Sequence, residues 1–143
     1  KVLDIFAGTG AMGLEALSRG AAEAVFIDRT TSDIIRKNAE RCHMSGQVKV
    51  IARDVTPALK LLGGKSFDYI FMDPPYRKGY INEILKEILS CGICSDDAII
   101  VAEHSVSEAP DLSLFEDRLD LWKEKKSGAI VVTYLRCRTT EGV

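Results

Sequence analysis

Asp73-Pro74-Pro75-Tyr76 follows the apolar run Phe67–Met72, which reads as a buried strand, so these four residues fall at a strand's carboxyl end. A carboxylate, two prolines and an aromatic ring in that place could hold a flat base that carries an amino group. The Asp73 side chain and the Pro74 carbonyl offer two acceptors to one pocket. Proline, with φ fixed and no N–H, keeps that carbonyl from wandering. Tyr76 can lie flat against the ring. The plainer reading of the same residues is a rigid turn closing a central strand, and what lies upstream decides between the two.

Upstream, Asp4-Ile5-Phe6-Ala7-Gly8-Thr9-Gly10-Ala11-Met12-Gly13 leaves a first expected strand and opens a first expected helix. Gly8, Gly10 and Gly13 fit the G-x-G-x-x-G pattern, in which backbone N–H groups and a helix amino end face a ligand. Asp28, followed by Arg29, ends the second expected strand, where an acid can accept both ribose hydroxyls. These features point to a nucleoside-type cofactor, and a dinucleotide is one legitimate candidate. Asp4 argues for a different one, because a carboxylate ahead of the glycines repels a pyrophosphate and attracts the ammonium of a methionine tail. That favours S-adenosylmethionine. Asp54 lies where it could accept from an adenine amino group, with Val55 packing on the ring, although Asp54 could equally be the N-cap of the helix that follows. The expected cofactor contacts are therefore Asp4, Phe6, Ala7, Gly8, Thr9, Gly10, Gly13, Asp28, Arg29, Asp54 and Val55.

The elements that must position these groups alternate between strand and helix, the pattern of a parallel sheet with helices on both faces. Strands are expected at Val2–Ile5, Ala24–Asp28, Val48–Ala52, Phe67–Met72 and Ala98–Ala102, with helices near Gly10–Arg19, Thr31–Met44, Thr56–Leu62 and Ile81–Cys91. Leu119–Glu124 and Ala129–Arg136, separated by Lys125-Lys126-Ser127-Gly128, read as a closing antiparallel hairpin. Glu103–Asp117, polar and holding Pro110, reads as a loop with at most a short helical turn. The chain has 143 residues, 46% hydrophobic and 28% charged, which suits a single domain over 1–143. Lys1 enters the first strand with no initiator methionine, so an amino-terminal segment is expected to precede it. A net charge of -2 gives no global nucleic-acid footprint and leaves a local basic patch as the remaining route to one. Four cysteines, no signal peptide and no long apolar stretch suggest a reduced, cytoplasmic protein without a membrane anchor. Cys91-Gly92-Ile93-Cys94 lacks a second pair or a spaced histidine, so half-buried thiols are expected rather than zinc or redox work. His43 and His104 are expected to be capping or surface residues, and no metal is expected.

Residues Asp4–Ala21, Asp73–Tyr76 and Trp122-Lys-Glu-Lys-Lys-Ser-Gly128 together resemble the RsmD-like bacterial 16S ribosomal RNA guanine-N2 methyltransferases. The similarity spans nearly the whole chain. The resemblance implies an α/β, Rossmann-like class I fold dependent on S-adenosylmethionine, with a seven-stranded, mostly parallel sheet, a carboxy-terminal antiparallel hairpin and helices on both faces. It also implies an amino-terminal extension that helps to bind RNA. The expected activity is methylation of the exocyclic amine of a guanine in 16S ribosomal RNA or the assembling small subunit, by a monomer. Asp73, Pro74, Pro75 and Tyr76 would form the catalytic site. Arg77, Lys78, Lys125 and Lys126 would contact the RNA. Three alternatives stay open: an adenine-N6 DNA methyltransferase, which needs the same acceptor pair, an NAD-binding dehydrogenase domain, and a silent cofactor-binding module.

Overall fold

A computed structural model describes residues 1–138. Seven strands form one sheet in the order β3-β2-β1-β4-β5-β7-β6. They are β1 (Val2–Ile5), β2 (Ala24–Ile27), β3 (Val48–Ile51), β4 (Phe67–Met72), β5 (Cys94–Ser105), β6 (Leu119–Ser127) and β7 (Ile130–Cys137). The first five pair in parallel and β7 runs antiparallel between β5 and β6. The helices are α1 (Ala11–Ser18), α2 (Ser32–Arg41), α3 (Val55–Leu61) and α4 (Tyr80–Cys91).

Residue alternation along the central strands builds two cores. Leu3 and Ile5 of β1 and Val25 and Ile27 of β2 point to the face covered by α3 and α4, where Ile81, Ile84, Leu85 and Ile88 form the buried stripe of α4. Val2, Ala24 and Phe26 point to the other face, beneath Leu14 and Leu17 of α1 and Ile35 of α2. The chain runs outward from β1 through β2 to β3, then crosses back to β4 beside β1. Strand order reverses at that β1/β4 boundary, and a crevice outside the carboxyl ends is the expected ligand site of such a sheet.

Three expectations change. β5 is far longer than Ala98–Ala102, because β7 offers antiparallel partners to Glu103, His104 and Ser105, residues expected in a loop. At its other end Ser95-Asp96-Asp97 is polar enough to hide a strand, and a register shift falls there, with Asp97 at φ 60°. The rest of the expected loop holds two short 3-10 turns, Val106–Glu108 and Leu112–Phe115. In the hairpin, Lys125, Lys126 and Ser127 belong to β6, and Gly128-Ala129 alone makes the turn. An exposed edge strand accommodates such a charged run. Helices cover both faces of the sheet as expected, and on the α1/α2 face this cover ends before β4, where Tyr69 is about half exposed (49%).

Candidate active site

The glycine segment is built around two carboxylates. Asp4 alternates with the inward Leu3 and Ile5, so its side chain points the other way, under the first turn of α1. It is 4% exposed, and one oxygen accepts the Gly13 N–H at 3.0 Å. Burial pushes its carboxyl up to about 7, the Gly13 N–H opposes that shift, and the nearby charge of Asp28 adds to it. Asp28 stands at the end of β2. One of its oxygens accepts the Gly8 N–H at 2.9 Å, and the other accepts the Thr30 and Thr31 N–H groups at 3.0 and 3.1 Å. Its partial burial acts to raise its carboxyl, but the hydrogen bonds from Gly8, Thr30 and Thr31 outweigh that and hold it below the usual carboxylate range.

The three glycines divide the work. Gly8 has φ +58° and nothing within 4 Å of where a Cβ would sit, so its backbone borders open space. Gly10 is buried at φ +85° against Ile35 and Phe26. A Cβ on Gly13 would lie 2.3 Å from the Phe26 ring, so Gly13 is what lets α1 settle on β2. Asp4 and Gly13 are both expected ligand contacts. Both are buried beneath the loop and bonded to each other, and they shape it from behind.

A cleft of about 840 Å³ opens at the β1/β4 switch point. Phe6, Asp28, Arg29, Asp54, Val55 and Tyr80 are among its walls, together with Asp73, Pro74, Pro75 and Arg77. Arg29 reaches Asp54 at 3.4 Å, linking the ends of β2 and β3. Asp54 occupies the N-cap position of α3 without a side-chain cap bond, which leaves its carboxylate to Arg29 and the cleft. Val55 is 6% exposed and offers the cleft little more than an edge. Ala7 is half-buried and Thr9 exposed, its carbonyl taken by Asn38 at 2.9 Å, and neither lines the cleft.

A second cavity of about 200 Å³ lies on the far side of Asp73-Pro74-Pro75. Tyr76, Arg77, Ile81, Glu103, His104, Ser105, Glu108 and Ile130 complete it. The Asp73-Pro74-Pro75 segment is therefore the wall shared by two cavities. Partial burial pushes the Asp73 carboxyl up. Tyr76 is 77% exposed, so its ring is available to a ligand. Arg77 lies over the Tyr80 ring at 4.7 Å and approaches Glu83 at 3.8 Å, whereas Lys78 is exposed and lines neither cavity.

Sequence reasoning missed three residues here. Tyr80 meets Phe6 edge-on at 5.7 Å and closes the cleft. Glu108 enters from the first 3-10 turn. His104, expected at the surface, is buried, with Nδ1 2.8 Å from the Ser105 carbonyl and Nε2 2.6 Å from the Thr133 hydroxyl. A carbonyl only accepts, so Nδ1 carries a proton, and the Thr133 hydroxyl, able to donate or accept, partners Nε2. The signal for His104 was present, since Ala98, Ile100, Ala102 and His104 share one buried face at a period of two. His43 is exposed at φ 58° just past α2, in keeping with a capping role. All four cysteines are free, Cys91 and Cys94 half-buried. Among the described residues, no group of three or more His, Cys, Asp or Glu could hold a metal, and no helix is long and apolar enough to cross a membrane.

This geometry has counterparts. The family described as conserved hypothetical protein 95 matches the chain over residues 1–136. The chain belongs to that family. Relatives named ribosomal RNA small subunit methyltransferase D bear out the resemblance seen in the sequence. That of Escherichia coli (strain K12) is 35% identical over 130 residues, covering 90% of this chain and 64% of the relative. That of Haemophilus influenzae is 30% identical, covering 90% of this chain and 67% of the relative. The solved structure of Escherichia coli yhhF superposes with a TM-score of 0.84 at 31% identity, over 97% of this chain and 76% of that one. Such neighbours bear out the class I fold. The chain spans only 58% and 64% of YlbH from Bacillus subtilis (strain 168) and of the Escherichia coli (strain K12) relative.

Proposed function

We propose that this chain is the catalytic domain of an S-adenosylmethionine-dependent methyltransferase acting on the exocyclic N2 of a guanine in small-subunit ribosomal RNA. The observation that carries this reading is the shared wall: Asp73-Pro74-Pro75 faces a cleft of nucleoside size on one side and a smaller pocket on the other.

The residues fit the cofactor. Gly8 lines open space, Asp28 and Asp54 present acceptors for ribose hydroxyls and an adenine amine, and Phe6 and Tyr80 supply apolar walls. The same residues disfavour NAD, because Asp4 already occupies the Gly13 N–H at the amino end of α1, where a pyrophosphate would dock. When bound, the cofactor supplies an electrophilic methyl on a sulfonium.

The chain's own contribution is alignment and charge stabilisation. An exocyclic amine shares its lone pair with its ring and is a poor nucleophile. The Asp73 carboxylate and the Pro74 carbonyl would accept its two N–H groups and turn the lone pair past the edge of this segment toward the cleft, so that the amine and the methyl meet in line. Fixed acceptors then stabilise the positive charge that grows on nitrogen, and Asp73, its carboxyl raised by burial, is placed to take the departing proton. Tyr76 replaces the stacking that an extruded base loses, at about 1–3 kcal/mol.

Guanine presents neighbouring N1–H and N2–H donors on one edge, whereas adenine presents an acceptor beside its amine. A pocket edged by Asp73, Glu103 and Glu108 complements the donor-rich edge. The names of the relatives favour small-subunit ribosomal RNA as the polymer. Calorimetric titration with S-adenosylhomocysteine and, in parallel, with NAD tests the cofactor assignment. Micromolar binding of the first alone is expected, and binding of NAD alone would overturn the reading.

A further inference from the structure

The β6–β7 hairpin carries an aromatic and cationic stripe that the methyl-transfer site does not use. The register between β6 and β7 shifts between Leu121 and Lys123, which makes Trp122 the extra residue of a bulge. A bulge re-aims side chains. Here it places Trp122 and Lys123 together on the face that also bears Tyr134 and Arg136. The Trp122 and Tyr134 rings meet edge-on at 6.0 Å. Lys123 Nζ lies 4.5 Å from the Trp122 centroid and 4.6 Å from that of Tyr134, Arg136 lies over Trp122 at 5.3 Å, and Lys125 lies 5.9 Å from Tyr134. Trp122 remains 48% exposed on this edge strand.

The charge of Lys123 and Lys125 is left unneutralised by carboxylates. Among the described residues, Lys123 and Lys125 make no ion pair. Lys126 and Glu124 approach each other at 4.0 Å and stand opposite Val131 and Thr133, on the other face of the hairpin. At the far end Asp120 pairs with Arg138 and stands opposite Arg136, so it offsets part of the charge there. In a chain of net charge -2 this is a local basic strip, and its cations rest on ring faces.

The stripe is continuous with the smaller cavity. Ile130, the first residue of β7, lines that cavity. At a strand rise of about 3.4 Å per residue, Tyr134 lies about 14 Å and Arg136 about 20 Å down the hairpin from it.

We propose that this face is a stacking platform for single-stranded RNA flanking the target nucleotide. Two bases stack on Trp122 and Tyr134, while Lys123, Lys125 and Arg136 leave the rings to meet phosphates. Stacking on aromatic faces tolerates any base, and lysine and arginine supply the backbone attraction. Naming RNA as the polymer rests on the methyltransferase reading, but the platform is testable without catalysis.

Trp122 is the chain's one tryptophan and reports directly on its own face. An oligouridylate of about ten nucleotides contains no guanine, so its binding reads the platform alone. Titrating it into the whole chain should quench Trp122 fluorescence, with an affinity that falls as salt rises. With a labelled oligouridylate followed by anisotropy, Trp122→Ala and Tyr134→Leu should each weaken binding by about fivefold to a hundredfold. Lys123→Ala and Lys125→Ala should reduce the salt slope, and Lys126→Ala should leave both readouts unchanged. Binding that leaves Trp122 unquenched, or Lys126→Ala as damaging as Lys125→Ala, overturns the platform while leaving methyl transfer untouched. No binding of oligouridylate by a chain that binds S-adenosylhomocysteine also overturns it, and points to a protein surface instead.

Discussion

The two carboxylates around the glycine segment do different work. Asp28 gathers three backbone N–H groups, so it both holds the loop shape and borders the cofactor cleft. Asp28→Ala should weaken S-adenosylhomocysteine binding by about 1–3 kcal/mol, measured by calorimetry, and unchanged affinity would refute the ribose role. Asp4 is a stability device with a pH signature. Its carboxyl is raised from 3.8 to about 7, so the fold prefers it protonated. The contribution is complete below about pH 3.8 and is lost as pH climbs through about 7. Asp4→Asn keeps an acceptor for the Gly13 N–H and removes the titration. Its melting temperature relative to the native chain should therefore rise from about pH 5 to about pH 8, and a flat difference would contradict the burial argument. Residue types exposed the acceptors of the site readily, because Asp, Pro and Gly at strand ends carry strong local constraints. Which way Asp4 points was not legible, since Asp4 sits on a strand where one position of shift inverts the face.

At the scale of elements, the packing of α1 on β2 depends on Gly13. Gly13→Ala would drive a methyl into the Phe26 ring and should destabilise the domain by about 1–3 kcal/mol, visible as a lowered urea midpoint. No loss would mean that the two elements can separate freely. The central strands and the four helices were legible within a few residues because their apolar periods are clean. β5 was not, since its ends are polar and owe their strand conformation to neighbours distant in sequence, β4 and β7. For the same reason Lys125 and Lys126 read as one basic cluster, whereas strand alternation sends them to opposite faces of the hairpin. His104 followed the hidden end of β5 into the wall of the smaller pocket.

At the scale of the whole molecule, the sheet's switch point makes one cleft, the long β5 and the hairpin make a second pocket, and Asp73-Pro74-Pro75 divides them. The sequence suggested the acceptors and the cofactor loop, but the divided site arises only when β4 lies between β1 and β5. The central claim is that an amine held by the acceptors at the edge of this wall is methylated from the larger cleft. The direct measurement is nucleoside analysis by mass spectrometry of small-subunit ribosomal RNA, free and in the small subunit, after incubation with S-adenosylmethionine and either the native chain or Asp73→Ala. The account predicts N2-methylguanosine from the native chain and a loss of at least about a hundredfold in Asp73→Ala, with S-adenosylhomocysteine affinity nearly unchanged. N6-methyladenosine as the product, or equal transfer by Asp73→Ala, would contradict it.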